Sequence, residues 1–166
     1  MKRGLRNNNP LNIRLNATCW QGMCKEQTDK AFVQFKTMAY GYRAAWRTLF
    51  TYFYRFVTQK KSFTVANIIA RWAPPTENDT QAYIRTMLIL TGIGGQEKLL
   101  PPDNVAGYHK LSKLIGAMTV MENGISMEEV DWEAIQEGYR LAFPDNRQAL
   151  AELLMGEDEE NIYIWT

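Results

Sequence analysis

The sequence predicts an α+β domain, mostly helical, with a small β element near its N-terminus. Three observations predict it. Beyond about residue 40, apolar residues recur at helical spacing in one segment after another. Residues 11–35 instead show short alternating runs broken by turn formers. Nothing between the two halves of the chain resembles a flexible linker, so 1–166 reads as one domain. Its 166 residues can bury a real core, and 46% hydrophobic content with 12% aromatics excludes wholesale disorder.

The opening Arg3-Gly-Leu-Arg-Asn-Asn-Asn-Pro10 holds three asparagines before a proline, poor material for a helix or a strand. Asn competes for its own backbone's hydrogen bonds, and Pro10 pushes Asn9 towards extended geometry. So many amides and guanidinium groups point to a polar loop that fixes a ligand or another loop, the alternative being an Asn-rich surface turn. Ala31-Phe-Val-Gln-Phe35 alternates as a strand does, with Phe32 and either Val33 or Phe35 buried. Tyr42, Trp46, Leu49, Phe53 and Phe56 mark the core face of a helix over residues 40–57, and Arg43, Arg47 and Arg55 lie off that stripe.

Thr64 can cap a short helix carrying Ile68, Ile69 and Trp72, which Pro74 and Pro75 terminate. Asn78, Asp79 or Thr80 can cap the next, which buries Tyr83, Ile84, Met87 and Leu88 and is ended by Gly92, Gly94 and Gly95. A helix over about 104–122 presents Leu111, Leu114, Ile115, Met118 and Met121 on one face. Ser126-Met-Glu-Glu129 is a capping-box pattern that opens a helix with Trp132, Ile135 and Tyr139. Pro144-Asp145 begins a last one, and Glu157–Glu160 reads as a solvated terminal run.

A net charge of +1 hides a division. Residues 1–73 carry 13 Lys/Arg against Glu26 and Asp29, and residues 74–166 carry 6 against 16 acids. The halves can attract each other, or the basic one can face a polyanion. No apolar run approaches the roughly 20 residues of a membrane helix, and no hydrophobic region follows the basic N-terminus, so neither a membrane span nor a secretory signal is expected. Cys19, Cys24 and a distant His109 fall short of a four-ligand zinc site. The cysteines are expected as thiols, and no metal or cofactor is called for.

Three acidic positions stand out. Glycosidic cleavage needs a carboxylic acid near the leaving oxygen, usually with a second carboxylate or a substrate group to assist. Glu122, four residues after Met118 and just before Asn123-Gly124, falls on or beside a buried stripe at a helix end. A partly buried Glu paired with an Arg is the plainer alternative. Glu77, beside a helix start, is favoured by the dipole and reads as an anchor or a helix-start stabiliser. Asp29 and Glu26 sit where a hairpin is expected, as second carboxylates or as surface neutralisation. One histidine makes nucleophilic triads poor prospects, and Gly92-Ile-Gly-Gly95 is a weak phosphate loop in the wrong context.

Taken together, these motifs resemble the lysozyme-like superfamily of peptidoglycan hydrolases. The Asn-rich loop into Asn12-Ile-Arg14, then Trp20-x-Gly22, Phe32-Val-Gln-Phe35 and Tyr40-Gly-Tyr-Arg-Ala44, is similar to the glucosaminidase branch. Glu77-Asn-Asp-Thr-Gln-Ala-Tyr-Ile84 resembles the Glu-Thr-x-x-Tyr-Val element of lytic transglycosylases. Closer still is a group of phage and prophage proteins, often labelled structural proteins, that open Arg-Gly-Ile-Arg-Asn-Asn-Asn-Pro and carry Trp-Ala-Pro-Pro-x-Glu-Asn-Asp-Thr. The resemblance covers about residues 3–90. In the superfamily the catalytic Glu ends a helix before the Asn-rich loop; here Leu114–Gly124 resembles that helix at the other end of the chain, which implies a circular permutation.

What the resemblance implies is a phage- or prophage-derived enzyme that cleaves peptidoglycan glycan strands, by hydrolysis or transglycosylation. Glu122 would be the acid, with Asp29 or Glu77 assisting and Asn8, Asn9, Asn12, Trp20 and Tyr83 along the sugar cleft. Its partner would be bacterial peptidoglycan, with virion proteins as further partners. It would be made in the bacterial cytoplasm and reach the wall after release or within a virion. The alternatives are a non-catalytic virion or wall-binding protein and, less favoured, a nucleic-acid-binding module built on the basic half.

Overall fold

Helix α2 (Met38–Thr58) is the axis of the protein. In the computed structural model, which describes residues 1–164 and their side chains as far as residue 156, the Thr37 hydroxyl caps α2 by accepting from the Tyr40 amide. Its apolar row buries Tyr42, Trp46, Leu49 and Phe56, while Phe53 packs half-buried against the same core. Trp46 stacks on Tyr108 at 5.6 Å, meets Tyr139 edge-on at 4.9 Å and donates its indole N–H to the Ile135 carbonyl at 3.0 Å. Each such aromatic pair contributes about 0.5–1.5 kcal/mol beyond the area it buries.

Helix α6 (Trp132–Ala142) lies along α2, and Gly138 sets how close it comes. A β-carbon there would stand 2.9 Å from the Arg43 amide nitrogen and 3.0 Å from the Ala39 carbonyl oxygen. Helix α3 (Val65–Trp72) starts at Thr64, whose hydroxyl accepts from Asn67 N–H. Helix α4 (Thr80–Thr91) is capped by Asp79 and stops at Gly92, whose φ of 70° favours glycine. Helix α5 (Tyr108–Asn123) follows a 3-10 turn at Val105–Gly107, and α7 (Arg147–Ile164) follows another at Pro144–Asn146. The acidic run 157–160 falls outside the described side chains.

Two expectations about these helices need correction. Ser126 makes no cap; Met127–Glu129 is a 3-10 turn, and Asp131 opens α6 by accepting from Ala134 N–H. The core face of α5 holds Leu111, Leu114, Ile115 and Met118, but Met121 is 39% exposed. The row of 111, 115 and 118 continues instead to the half-buried Glu122.

The α+β class with an N-terminal β element is also overturned. Among the described residues the chain is helical, 58% helix against 3% strand, with no sheet. The stretch Ala31–Phe35 is extended, with Val33 and Phe35 buried. It makes only two isolated antiparallel bridges, Arg14 with Phe32 and Met23 with Phe35. Side-chain amides take the backbone groups that a ladder would need. Asn9 Nδ2 donates to the Ile13 and Val33 carbonyls, Gln27 Nε2 donates to Cys24 and Gln34 carbonyls, and Gln27 Oε1 accepts from Gln34 N–H. Val33 and Phe35 share the buried face, Phe32, expected to be buried, is only half-buried on the opposite face, and Asn and Gln side chains take the place of partner strands.

A short helix, α1 (Arg3–Arg6), is tied to the same region by Asp29. Arg3 donates to both Asp29 oxygens at 2.7 Å, and Asn7 Nδ2 and the Ala31 and Phe32 amides complete the set. The Arg3 hydrogen bonds, then the Ala31 amide and Asn7, hold the Asp29 carboxyl far below the usual carboxylate range.

Gly138→Ala should lower stability by about 1–3 kcal/mol in a urea titration, because the new methyl meets backbone that cannot step aside. Gly94→Ala, whose β-carbon would find nothing nearer than 3.7 Å, is the neutral control. Asp29→Asn should lower the melting temperature at pH 7. A depressed carboxylate stabilises the fold above its unfolded value of about 3.9 and loses that effect as pH falls through the folded value. The gap between wild type and Asp29→Asn should therefore narrow as melts are taken from pH 5 down to pH 2.

Candidate functional site

The Asn-rich loop is rigid because each asparagine has a separate task. Asn8 and Asn12 adopt left-handed backbone, φ 51° and 52°, which Asn tolerates better than most residues. Between them Asn9 is fully buried, its Oδ1 accepting from Ile13 N–H at 2.9 Å and its Nδ2 donating to Ile13 and Val33 carbonyls. Asn8 Nδ2 donates to the Phe35 carbonyl at 3.1 Å. The loop is joined to the end of α5 by Asn123, whose Nδ2 donates to the Pro10 carbonyl at 2.7 Å and to Thr119 at 2.9 Å. Gly4 permits this closeness: a β-carbon there would lie 2.8 Å from the Asn9 carbonyl oxygen and 2.6 Å from Asn123 Oδ1.

That junction brings Asn12 to Glu122. Asn12 Nδ2 donates to Glu122 Oε2 at 3.4 Å, while Oε1 accepts from Trp72 Nε1 at 3.1 Å and from the Tyr83 hydroxyl at 3.2 Å. Trp72 is the last residue of α3 and Tyr83 sits in the first turn of α4, so three helices and a loop converge on one carboxylate. Among the described residues no cation pairs with it. Tyr83 is buried, and its phenol is pushed well above the ordinary range by that burial first, then by the charge of Glu122 and the hydrogen bond to it. Tyr83 therefore serves Glu122 as a hydrogen-bond donor.

Glu122 lines an open cleft of about 450 Å³ together with Asn12, Arg14, Trp20, Phe32, Trp72, Glu77 and Asn78. Arg14 Nη2 lies 4.0 Å from Glu77 Oε2, and both side chains are exposed. Indole and phenyl surface, neutral amides and one carboxylate with only neutral donors suit an uncharged polar ligand with apolar faces, and can exchange a proton with it.

The structure thus brings together Glu122, Asn12, Trp20 and Glu77 along one cleft, with Tyr83 supporting Glu122. Three other residues read from the sequence are not part of it. Asn8 and Asn9 are spent on backbone carbonyls, and Asp29 lies in a different depression with Arg3, Arg6 and Asn7. Trp72 was missed as a site residue, since its helical spacing marked it only as core. Its signal was an indole N–H at a helix end, directly before the Ala-Pro-Pro that carries Glu77. Arg14 and Phe32 were missed as cleft residues although both stand in the motifs Asn12-Ile-Arg14 and Phe32-Val-Gln-Phe35. Cys19 and Cys24 are free, and no group of three or more His, Cys, Asp or Glu among the described residues could hold a metal ion. No described helix is long and apolar enough to cross a membrane.

Tyr83→Phe keeps the ring and removes one donor to a charged acceptor. It should cost about 1–2 kcal/mol of stability at pH 7, measured by chemical denaturation, and much less in a Glu122→Gln background if the hydroxyl acts through that carboxylate.

No family model matches the chain. Protein P5 of Pseudoalteromonas phage PM2 is 38% identical to it over 144 residues, which cover 85% of this chain and 82% of that protein. The chain belongs to the family of this phage protein.

Proposed function

We propose that the protein cleaves the glycan strands of peptidoglycan, with Glu122 as the acid. The observation that carries this reading is a carboxyl group held by three neutral donors, with no paired cation, on the wall of a cleft of sugar-binding character. In the reaction the C1–O bond to the leaving sugar breaks and the Glu122 proton passes to the leaving oxygen. The carboxylate left behind is met by the Trp72, Tyr83 and Asn12 donors already in place, so charge that develops during the step is stabilised without rearrangement.

The anomeric carbon is then attacked by water in a hydrolase or by a hydroxyl of the substrate itself in a transglycosylase. Glu77 is the carboxylate in the cleft that can assist, since Asp29 is committed to Arg3. Asn12 and Trp20 contact the sugar, and Tyr83 positions Glu122. The kinship with a phage protein and the resemblance of residues 3–90 to peptidoglycan hydrolases support the choice of substrate. A phage protein of this kind would reach the wall after release from the host cytoplasm or as part of a particle.

Digestion of purified peptidoglycan with mass spectrometry of the products tests this. Wild type should release soluble muropeptides, Glu122→Gln should be slower by at least about 100-fold, and the new ends should identify the bond and the attacking group. Activity that survives in Glu122→Gln would move the acid to Glu77. No products from folded wild type would favour a non-catalytic wall-binding protein.

A further inference from the structure

A second depression adjoins the cleft and has the opposite character. It has a volume of about 440 Å³ and shares Trp20, Thr48 and Tyr52 with the Glu122 cleft. Its charged lining consists of Arg43, Arg47, Arg55 and Arg71, with no acid. Three of these arginines stand on one row of α2, spaced so that Thr51 completes a run of every fourth residue, and Arg71 comes from α3.

Four guanidinium groups on one groove repel one another, and nothing among the described residues neutralises them: none makes an ion pair with a carboxylate. Aromatic rings hold two of them in place, Arg71 over Tyr52 at 5.2 Å and Arg47 over Phe50 at 4.6 Å. Two buried donors are left without acceptors, Arg43 Nε and Trp20 Nε1, and both residues line this groove. Buried donors without partners and like charges in company are both costly unless an anion completes them.

We propose that this groove binds the free carboxylates of the peptide stems carried by a glycan strand seated in the Glu122 cleft. The inference rests on peptidoglycan as the substrate and adds which part of it the protein reads. The shared wall of Trp20, Thr48 and Tyr52 puts the anion site beside the sugar site, as a stem beside its sugar requires. The planar forks of arginine suit carboxylates, which they can hold with two hydrogen bonds each. A stem carboxylate bound here anchors the strand through a part that does not react.

The test compares native peptidoglycan with peptidoglycan whose free carboxylates have been converted to amides, using wild type and an Arg55→Gln/Arg71→Gln double variant. On native substrate the double variant should show KM raised by about tenfold, equivalent to about 1.4 kcal/mol, with a smaller change in kcat. On amidated substrate wild type should lose that advantage and the two proteins should converge. Equal KM for both proteins on native substrate, or an equal gap on both substrates, would overturn the proposal.

A co-sedimentation arm with Glu122→Gln, which needs no turnover, separates this outcome from failure of the catalytic reading. Arginine- and carboxylate-dependent retention on intact sacculi would support the groove even if wild type released no product. Retention unaffected by amidation would overturn it even if wild type were active. Salt-sensitive binding of duplex DNA through Arg55 and Arg71, without retention on sacculi, would also overturn it and assign the groove to phosphates.

Discussion

One amide joins the Asn-rich loop to the end of α5. Asn123 Nδ2 reaches the Pro10 carbonyl across 113 positions of sequence, and the geometry around Glu122 depends on that bond. It holds the last turn of α5 against a loop with no sheet to support it. The loop tolerates this because Asn9, buried and making three hydrogen bonds, supplies locally the rigidity that neighbouring strands would have supplied. Removal of either amide leaves buried backbone carbonyls without partners, a cost felt at Glu122 although neither asparagine faces the cleft.

Polar side chains are used in two contrasting ways on either side of Trp20. Around Glu122 the donors are neutral and numerous, three dipoles with no ion pair among the described residues. Across the wall the charges are positive and unmatched, supported from behind by aromatic rings. The uneven distribution of charge along the sequence therefore has two structural outlets. Part of the basic surplus meets the acidic half, as Arg14 does at 4.0 Å from Glu77, and part of it remains gathered on one face of α2.

Helix starts and stops were legible in the sequence wherever a residue has a single local task. Thr64, Asp79 and Gly92 act as their types predict, and the aromatic row of α2 was visible because burial follows the helical period. The β element was misread because alternation reports which side chains are buried and not what satisfies the backbone. Asn9 and Gln27 answered that second question from outside the alternating run. The placement of Glu122 on a buried stripe at a helix end could be seen, yet its partners could not. Trp72 and Tyr83 come from separate helices, and only tertiary packing of α3 and α4 against α5 aims both at one carboxylate.

Because the loop lies at the start of the chain and Glu122 lies 110 residues beyond Asn12, the order of synthesis sets the order of assembly. At an elongation rate of about 5–20 residues per second, the amides that will face the carboxylate wait about 5–20 s for it to emerge. During that interval the growing chain has the loop but not Glu122. The same holds for any fragment cut short before α5, so the contact between Asn12 and Glu122 forms only once α5 has been made.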